Sequence, residues 1–348
     1  FDLFSKFSDN NATSRFTSQT TGATIRATLP ITEEFSVTAR YSLYQTEIKV
    51  PNKADLAYND CLIRISGQPD KVGQPSCLEN GEASIAIKEA RGERITSLAG
   101  LTFAYNSLDN SKNPRNGFYA ELRPEFAGLG GDSKFFRISG DARYYREVYD
   151  DVVGFVRLQG GHTMGFGNEP LRIIDHNFLG PNLVRGFAPS GIGPRDVASA
   201  ATASTAALGG TTYFGGSLEV QFPIPFIPKE IGIRGALFAD AGTLFNFDGG
   251  RAAAGGTCPA GSKARFFDVN NNGTPDGVLL GASEISCVRD KNILRSSVGA
   301  SILWQSPLGP IRFDYAHALT YDKGINSPTG RYGGDRLQAF RFSGGTSF

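Results

Sequence analysis

The residues of this 348-residue chain whose types and spacing could do chemistry are four cysteines, three histidines and one Asp/Asn run. Cys61 and Cys77 lie 16 positions apart, Cys258 and Cys287 lie 29 apart, and each pair sits in a polar stretch rich in Gly, Pro and Asn. Neither pair has CxxC spacing, and His162, His176 and His317 are scattered. A zinc site is therefore not expected. The cysteines suit two disulfides that each staple a long loop, the shorter closure contributing roughly 3 kcal/mol on chain entropy. Such usage implies an oxidising compartment, periplasm or cell surface; the alternative is unpaired structural thiols.

Asp268, Asn270 and Asn272 place oxygen ligands at alternating positions before Gly273, as at the start of a calcium loop. The position of the bidentate Glu is Leu279. The segment reads as an Asn/Gly-rich turn in a loop clipped by Cys258 and Cys287, and no metal is assigned. There is no P-loop, no Gly-x-Ser-x-Gly and no His/Cys cluster. Neither an enzyme nor a cofactor is expected.

Composition bounds the elements that must position anything else. Lys plus Arg number 35 against 34 Asp plus Glu, a net charge of +1, which argues against nucleic-acid binding through a generally basic surface. Glycine reaches 43 residues, well above the usual ~7%. No run approaches 18 apolar residues, so no membrane-spanning helix is predicted. A spanning β-barrel remains open, because its strands alternate apolar with polar residues.

Alternation is the dominant signal. Ser217-Leu218-Glu219-Val220-Gln221-Phe222 is apolar at even positions, and Ile311-Arg312-Phe313-Asp314-Tyr315 at odd ones. Period two predicts strands, and no segment has sustained helical periodicity. Twelve strands are expected, at about 1–8, 16–29, 34–50, 93–108, 117–127, 133–147, 151–167, 210–224, 230–246, 291–306, 309–320 and 335–348. Most exceed ten residues, as tilted membrane strands do, whereas soluble strands cluster near five or six. Short turns alternate with long connections at about 51–92, 168–209 and 247–290, the layout of an outer-membrane barrel whose long loops lie outside. One face is Leu, Ile, Val, Phe and Tyr; the other carries Arg26, Arg143, Arg234, Glu219, Asp240, Arg312, Asp314 and Arg341. A soluble sandwich would alternate similarly, but strand length, loop alternation and the charged face favour the membrane. Residue 1 is Phe, and Phe1 to Ser8 read as the middle of a strand, so the chain is expected to be a piece of something longer.

The long 168–209 connection holds Asn182-Leu183-Val184-Arg185-Gly186-Phe187, five strands before the last residue. Around it stand Tyr213 to Glu219, Phe238 to Thr243, Ser306 to Asp314 and a closing Phe342 to Phe348. This set, in this order, resembles the C-terminal barrel of the BamA family. The resemblance implies an all-β fold, a transmembrane antiparallel β-barrel of the outer membrane. Twelve of sixteen strands would lie within 1–348, without the first four strands and the periplasmic POTRA domains. It also implies that the loop folds into the lumen, where Arg185 meets the acids matching Glu219 and Asp240. Both acids fall on the polar parity of their strands, which supports the assignment independently. Gly186 would give the turn backbone freedom and Phe187 would anchor it. Whether this cluster only packs the loop or acts in assembly stays open.

In the family, the first strand meets the last at a weak seam where client strands pair. The resemblance thus implies an assembly factor that folds and inserts barrel proteins, with unfolded outer-membrane clients, accessory lipoproteins, periplasmic chaperones and the lipid bilayer as partners. Phe340, Phe342 and Phe348 would mark the terminal strand, both as its seam and as an insertion signal. The alternatives are a TamA-like protein or a two-partner-secretion pore, separable by the number of POTRA domains upstream. A passive porin lacks this loop with its matched acids.

Overall fold

A computed structural model describes residues 1–9, 16–49, 52–53, 56–57, 84–111, 113–167, 171–197, 206–228, 231–253, 258–267, 285–306, 309–327 and 330–344. Twelve strands form one antiparallel sheet in sequential order. They are β1 (Asp2–Asp9), β2 (Thr17–Pro30), β3 (Phe35–Lys49), β4 (Gly92–Asn106), β5 (Gly117–Gly131) and β6 (Phe135–Tyr149). The sheet continues with β7 (Val152–Gly165), β8 (Thr212–Pro223), β9 (Ile233–Phe245), β10 (Arg295–Ser306), β11 (Gly309–Thr320) and β12 (Phe340–Gly344). The alternation written in the sequence sets the faces. Cross-strand partners such as Leu218 and Ala239, or Val220 and Leu237, share the outer face, while Ser217 pairs with Asp240 on the inner one. Leu218, Leu237, Ile302, Phe313 and Phe342 stand exposed outward, a face suited to lipid.

Hydrogen bonds across the inner face show that the sheet is rolled. The carbonyl of Asn182 accepts from Gln159 of β7 at 2.8 Å, and its side-chain oxygen accepts from Arg341 of β12 at 2.8 Å. On a flat sheet those strands, five steps apart, would be separated by about 24 Å. Likewise Arg312 of β11 reaches Glu219 of β8, three strands away, at 2.7 Å. Only a sheet curved around the 171–197 segment brings these groups together.

The short turns gather at one rim and the long connections at the other. At the long-loop rim Arg195–Asp196, Ile285–Arg289, Lys263–Phe266 and Arg251–Ala252 form a second, four-stranded sheet. Under it lies a core of Ile87, Ile173, Leu208, Phe247, Phe267 and Val288, with Phe16 and Ile48 from the barrel ends. The short helix α1 (Ile85–Glu89) joins this core, its first turn capped by the Ser84 hydroxyl, which accepts from the Ala86 N–H at 3.3 Å. A helix was not expected: five residues are too few to write a 3.6-residue period into the sequence. Cys258 and Cys287 are disulfide-bonded, with Cα atoms 5.5 Å apart, and tie this sheet to the preceding loop. Cys61, Cys77, Asp268, Asn270, Asn272 and Phe348 lie outside the described residues.

The last strand differs from its expected 335–348 range. Within the described residues it begins at Phe340, because the backbone of 336–338 is taken by another partner, the arginine loop.

Candidate functional site: the arginine loop on the inner wall

The loop that carries Arg185 starts with a tight turn in which the Gly180 carbonyl accepts from the N–H groups of Leu183 and Val184, both at 3.0 Å. The turn presses Leu183 against the inner wall at Gly215 of β8 and Gly242 of β9, which are cross-strand partners. A Cβ on Gly215 would stand 2.6 Å from the Leu183 side chain, and one on Gly242 3.0 Å. The paired glycines therefore form a slot that fits Leu183. Val184 and Phe187 are fully buried, packed with Ile192 and Leu244. Gly186 has φ +91°, and a Cβ there would meet the Ala316 side chain at 3.2 Å, so both backbone and space call for glycine.

These contacts aim Arg185 along the wall. Its Nε and Nη2 donate to the two carboxylate oxygens of Asp240 at 2.7 and 2.6 Å, and its backbone N–H to Asp240 at 3.0 Å. Its Nη1 donates to Glu219 at 2.6 Å and its Nη2 also to Ser217 at 2.7 Å. The guanidinium lies 3.5 Å from the centroid of the Phe238 ring. Glu219 is shared: Arg312 donates to both of its oxygens at 3.2 and 2.7 Å, and to Asp314 at 2.7 Å. The carboxylates of Glu219, Asp240 and Asp314 are almost wholly buried, at 1 to 2% exposure. Arg341, opposite Asp314 in the β11–β12 ladder, brings the count to three cations against three anions. Bidentate geometry and full charge balance are what make buried charges tolerable.

The same loop holds the terminal strand. Ala188 N–H donates to Arg336 at 2.9 Å, Arg336 N–H to Gly191 at 2.9 Å, and Gln338 N–H to Gly186 at 3.0 Å. Phe187 and Leu337 form an antiparallel bridge. From β12 itself, Arg341 donates to Pro181 and Asn182 at 3.1 and 2.8 Å. The arginine loop thus joins β8 and β9 to the entrance of β12.

The sequence profile of the Omp85 superfamily domain matches residues 1–348, the whole chain. The chain belongs to the Omp85 superfamily. A similar protein is the outer membrane protein assembly factor BamA of Neorickettsia risticii, 32% identical over 73% of this chain and 29% of that protein. BamA of Neisseria meningitidis serogroup B aligns with all of this chain and 39% of its own length at 24% identity. The sorting and assembly machinery component 50 homolog of Xenopus tropicalis is 32% identical over 48% of this chain and 36% of that protein. The chain thus spans about a third of the length of these relatives. The fold matches the crystal structure of BamA from Haemophilus ducreyi lacking POTRA domains 1–3, with TM-score 0.66 and 20% identity, over 98% of this chain and 56% of that one. This Omp85 chain is an outer-membrane barrel.

Other residues singled out in the sequence lie elsewhere in the Omp85 barrel. Phe340 and Phe342 point outward, 4.9 and 5.1 Å from the rings of Tyr315 and Phe313. Among the described residues, Glu147, Asp150 and Asp151 could approach a metal together, but Arg115 neutralises Glu147 and Asp151 at 3.0 and 2.6 Å. Sequence reasoning missed Arg312 as the second cation on Glu219, and the roles of Ser217, Phe238, Gly215 and Gly242. Their parity placed the first three on the inner face with the acids, a usable signal. The glycine slot left only the flanking Tyr213 to Glu219 and Phe238 to Thr243 runs as its trace.

Proposed function

We propose that this Omp85 chain is the membrane barrel of an assembly factor that folds β-barrel proteins and inserts them into the bacterial outer membrane. The names of its BamA and sorting-machinery relatives support that role. The observation that carries it is the set of backbone hydrogen bonds from Gly186, Ala188 and Gly191 to Arg336 and Gln338, immediately before β12. They fix where the terminal strand enters the wall, while β12 pairs with β11 alone among the described residues.

An unpaired strand edge in lipid leaves N–H and C=O groups without partners, at several kcal/mol each. Such an edge templates an incoming strand, which satisfies those groups before the client meets lipid. The clients are unfolded outer-membrane barrels, and the chemistry needs no nucleophile, metal or nucleotide. Arg185, Glu219 and Asp240 serve by setting the loop, and through it the position of β12; Phe340 and Phe342 mark the strand. Accessory lipoproteins and periplasmic chaperones would engage through POTRA domains of a longer protein, with the long loops outside the cell.

The test is reconstitution of the longer protein in liposomes and measurement of the folding rate of an unfolded barrel client. The expected result is acceleration by the parent protein, weakened by Arg185→Ala and lost when residues 1–348 act alone. A correctly folded parent that gives no acceleration would overturn the proposal and favour a translocation pore of the TamA or two-partner-secretion kind.

A further inference from the structure

The outer wall carries a groove of about 610 Å³ across β6 to β9, near the short-turn rim. Tyr144, Val148, Val156, Leu218, Val220 and Leu237 line it, and all face outward. Its floor is open for a local reason: Gly154 of β7 lies opposite Arg146 of β6 and contributes no side chain. Arg146 lines the rim end of the groove, four residues before the β6–β7 turn. It shares the outward parity of Tyr144 and Val148, so a cation stands on an apolar wall. Among the outward-facing strand positions of β5 to β9, it is the one Lys, Arg, Asp or Glu.

Its surroundings leave that charge unanswered. Arg146 is exposed and makes no ion pair among the described residues. Neighbouring Glu147 points to the inner side, where Arg115 holds it together with Asp151. The Arg234 guanidinium also turns inward, donating to the Asp151 carbonyl at 2.8 Å. Of these three, Arg146 alone extends to the lipid side, flanked by Tyr144 and by Tyr149 at the end of β6, aromatic residues suited to the headgroup level.

We infer that this groove is a binding site for one anionic phospholipid, with Arg146 on the headgroup phosphate and an acyl chain along Val156, Leu218, Val220 and Leu237. A guanidinium matches phosphate geometry, and an apolar channel leading directly from it matches the attached chain. Lipid is the occupant because the groove opens on the face that meets the bilayer, and its single charge sits at the rim where headgroups lie. The inference requires only that face and does not rest on the assembly role.

The test is native mass spectrometry of the protein released from nanodiscs of phosphatidylethanolamine and phosphatidylglycerol, its folded state verified by heat-dependent gel mobility. The wild type is expected to retain phosphatidylglycerol over phosphatidylethanolamine about fivefold, the ratio that corresponds to ~1 kcal/mol per basic residue at an anionic lipid surface. Arg146→Gln should reduce that ratio to near one and Arg146→Lys should keep most of it. Gly154→Leu, where an added Cβ meets nothing nearer than 3.7 Å, should fill the floor and lower retention of both lipids. Unchanged preference in folded Arg146→Gln, or unchanged retention in Gly154→Leu, would overturn the assignment.

Discussion

Gln338 donates its backbone N–H to the Gly186 carbonyl at 3.0 Å, joining the residue after Arg185 to the segment that leads into the last strand. This bond links two regions more than 150 residues apart in sequence, so whatever displaces the arginine loop also frees the entrance of β12. One residue before Gly186, Arg185 is locked on Asp240 and Glu219, which anchors the loop on the wall beside that bond.

Removing that lock should be costly. Arg185→Ala leaves Asp240 without its guanidinium and Glu219 with Arg312 as its one cation, beside the Gln221 amide. The expected destabilisation is about 3–5 kcal/mol, the usual cost of orphaning a buried charge. Urea unfolding in detergent micelles would measure it. A double-mutant cycle with Asp240→Ala should return a coupling of at least ~1 kcal/mol; additive effects would argue against a direct pair.

The slot for Leu183 can be tested by filling it. Gly242→Val would drive a side chain into Leu183, costing roughly 1–3 kcal/mol by overpacking. Leu183→Ala in the same protein should recover much of that loss. A spin label on the loop would report its displacement in the single variant and its return in the double one.

His176 gives the cap over the barrel, the four-stranded sheet at the long-loop rim with the core under it, a pH dependence. Its Nε2 accepts from the Asp248 N–H at 3.1 Å, and Nδ1 lies 2.9 Å from the Arg172 carbonyl, so the buried ring is neutral. Burial pulls its pKa down from 6.5 to about 4. Because the folded value is depressed, its stabilising contribution is complete above pH 6.5 and is lost as pH falls through that window towards 4. His176→Gln should flatten the acid limb of cap stability, followed by hydrogen exchange in Ile285–Arg289. An identical acid limb in the variant would assign the dependence to another group.

The two faces should respond differently to charge. Leu158 is 62% exposed on the outer wall, midway along β7. Leu158→Lys is expected to cost about 2–4 kcal/mol, the cost of a cation facing lipid near the bilayer midplane. Gln159→Lys, on the inner face of β7, should cost far less, although it removes one bond to the Asn182 carbonyl. Folding equilibria in lipid vesicles would compare them, and equal costs would contradict the orientation of the wall.

Period-two alternation was enough to place the twelve wall strands and the face on which Glu219, Asp240 and Arg312 lie, while their antiparallel barrel arrangement was implied by the family resemblance. Side-chain direction in a strand is a local property, so parity is readable one segment at a time. The cross-barrel contacts are not local. That Arg312 shares Glu219 with Arg185, or that Asn182 touches both β7 and β12, depends on the curvature of the whole sheet, which no single strand encodes. The start of β12 is the sharpest case. Residues 336–338 lead into an alternating strand, yet their backbone is claimed by Gly186, Ala188 and Gly191. The Leu183 slot is decided in the same way, since two glycines become one cavity only when their strands pair. Alternation set each residue's side of the wall; the rolled sheet and the loop inside it decided which residues meet there.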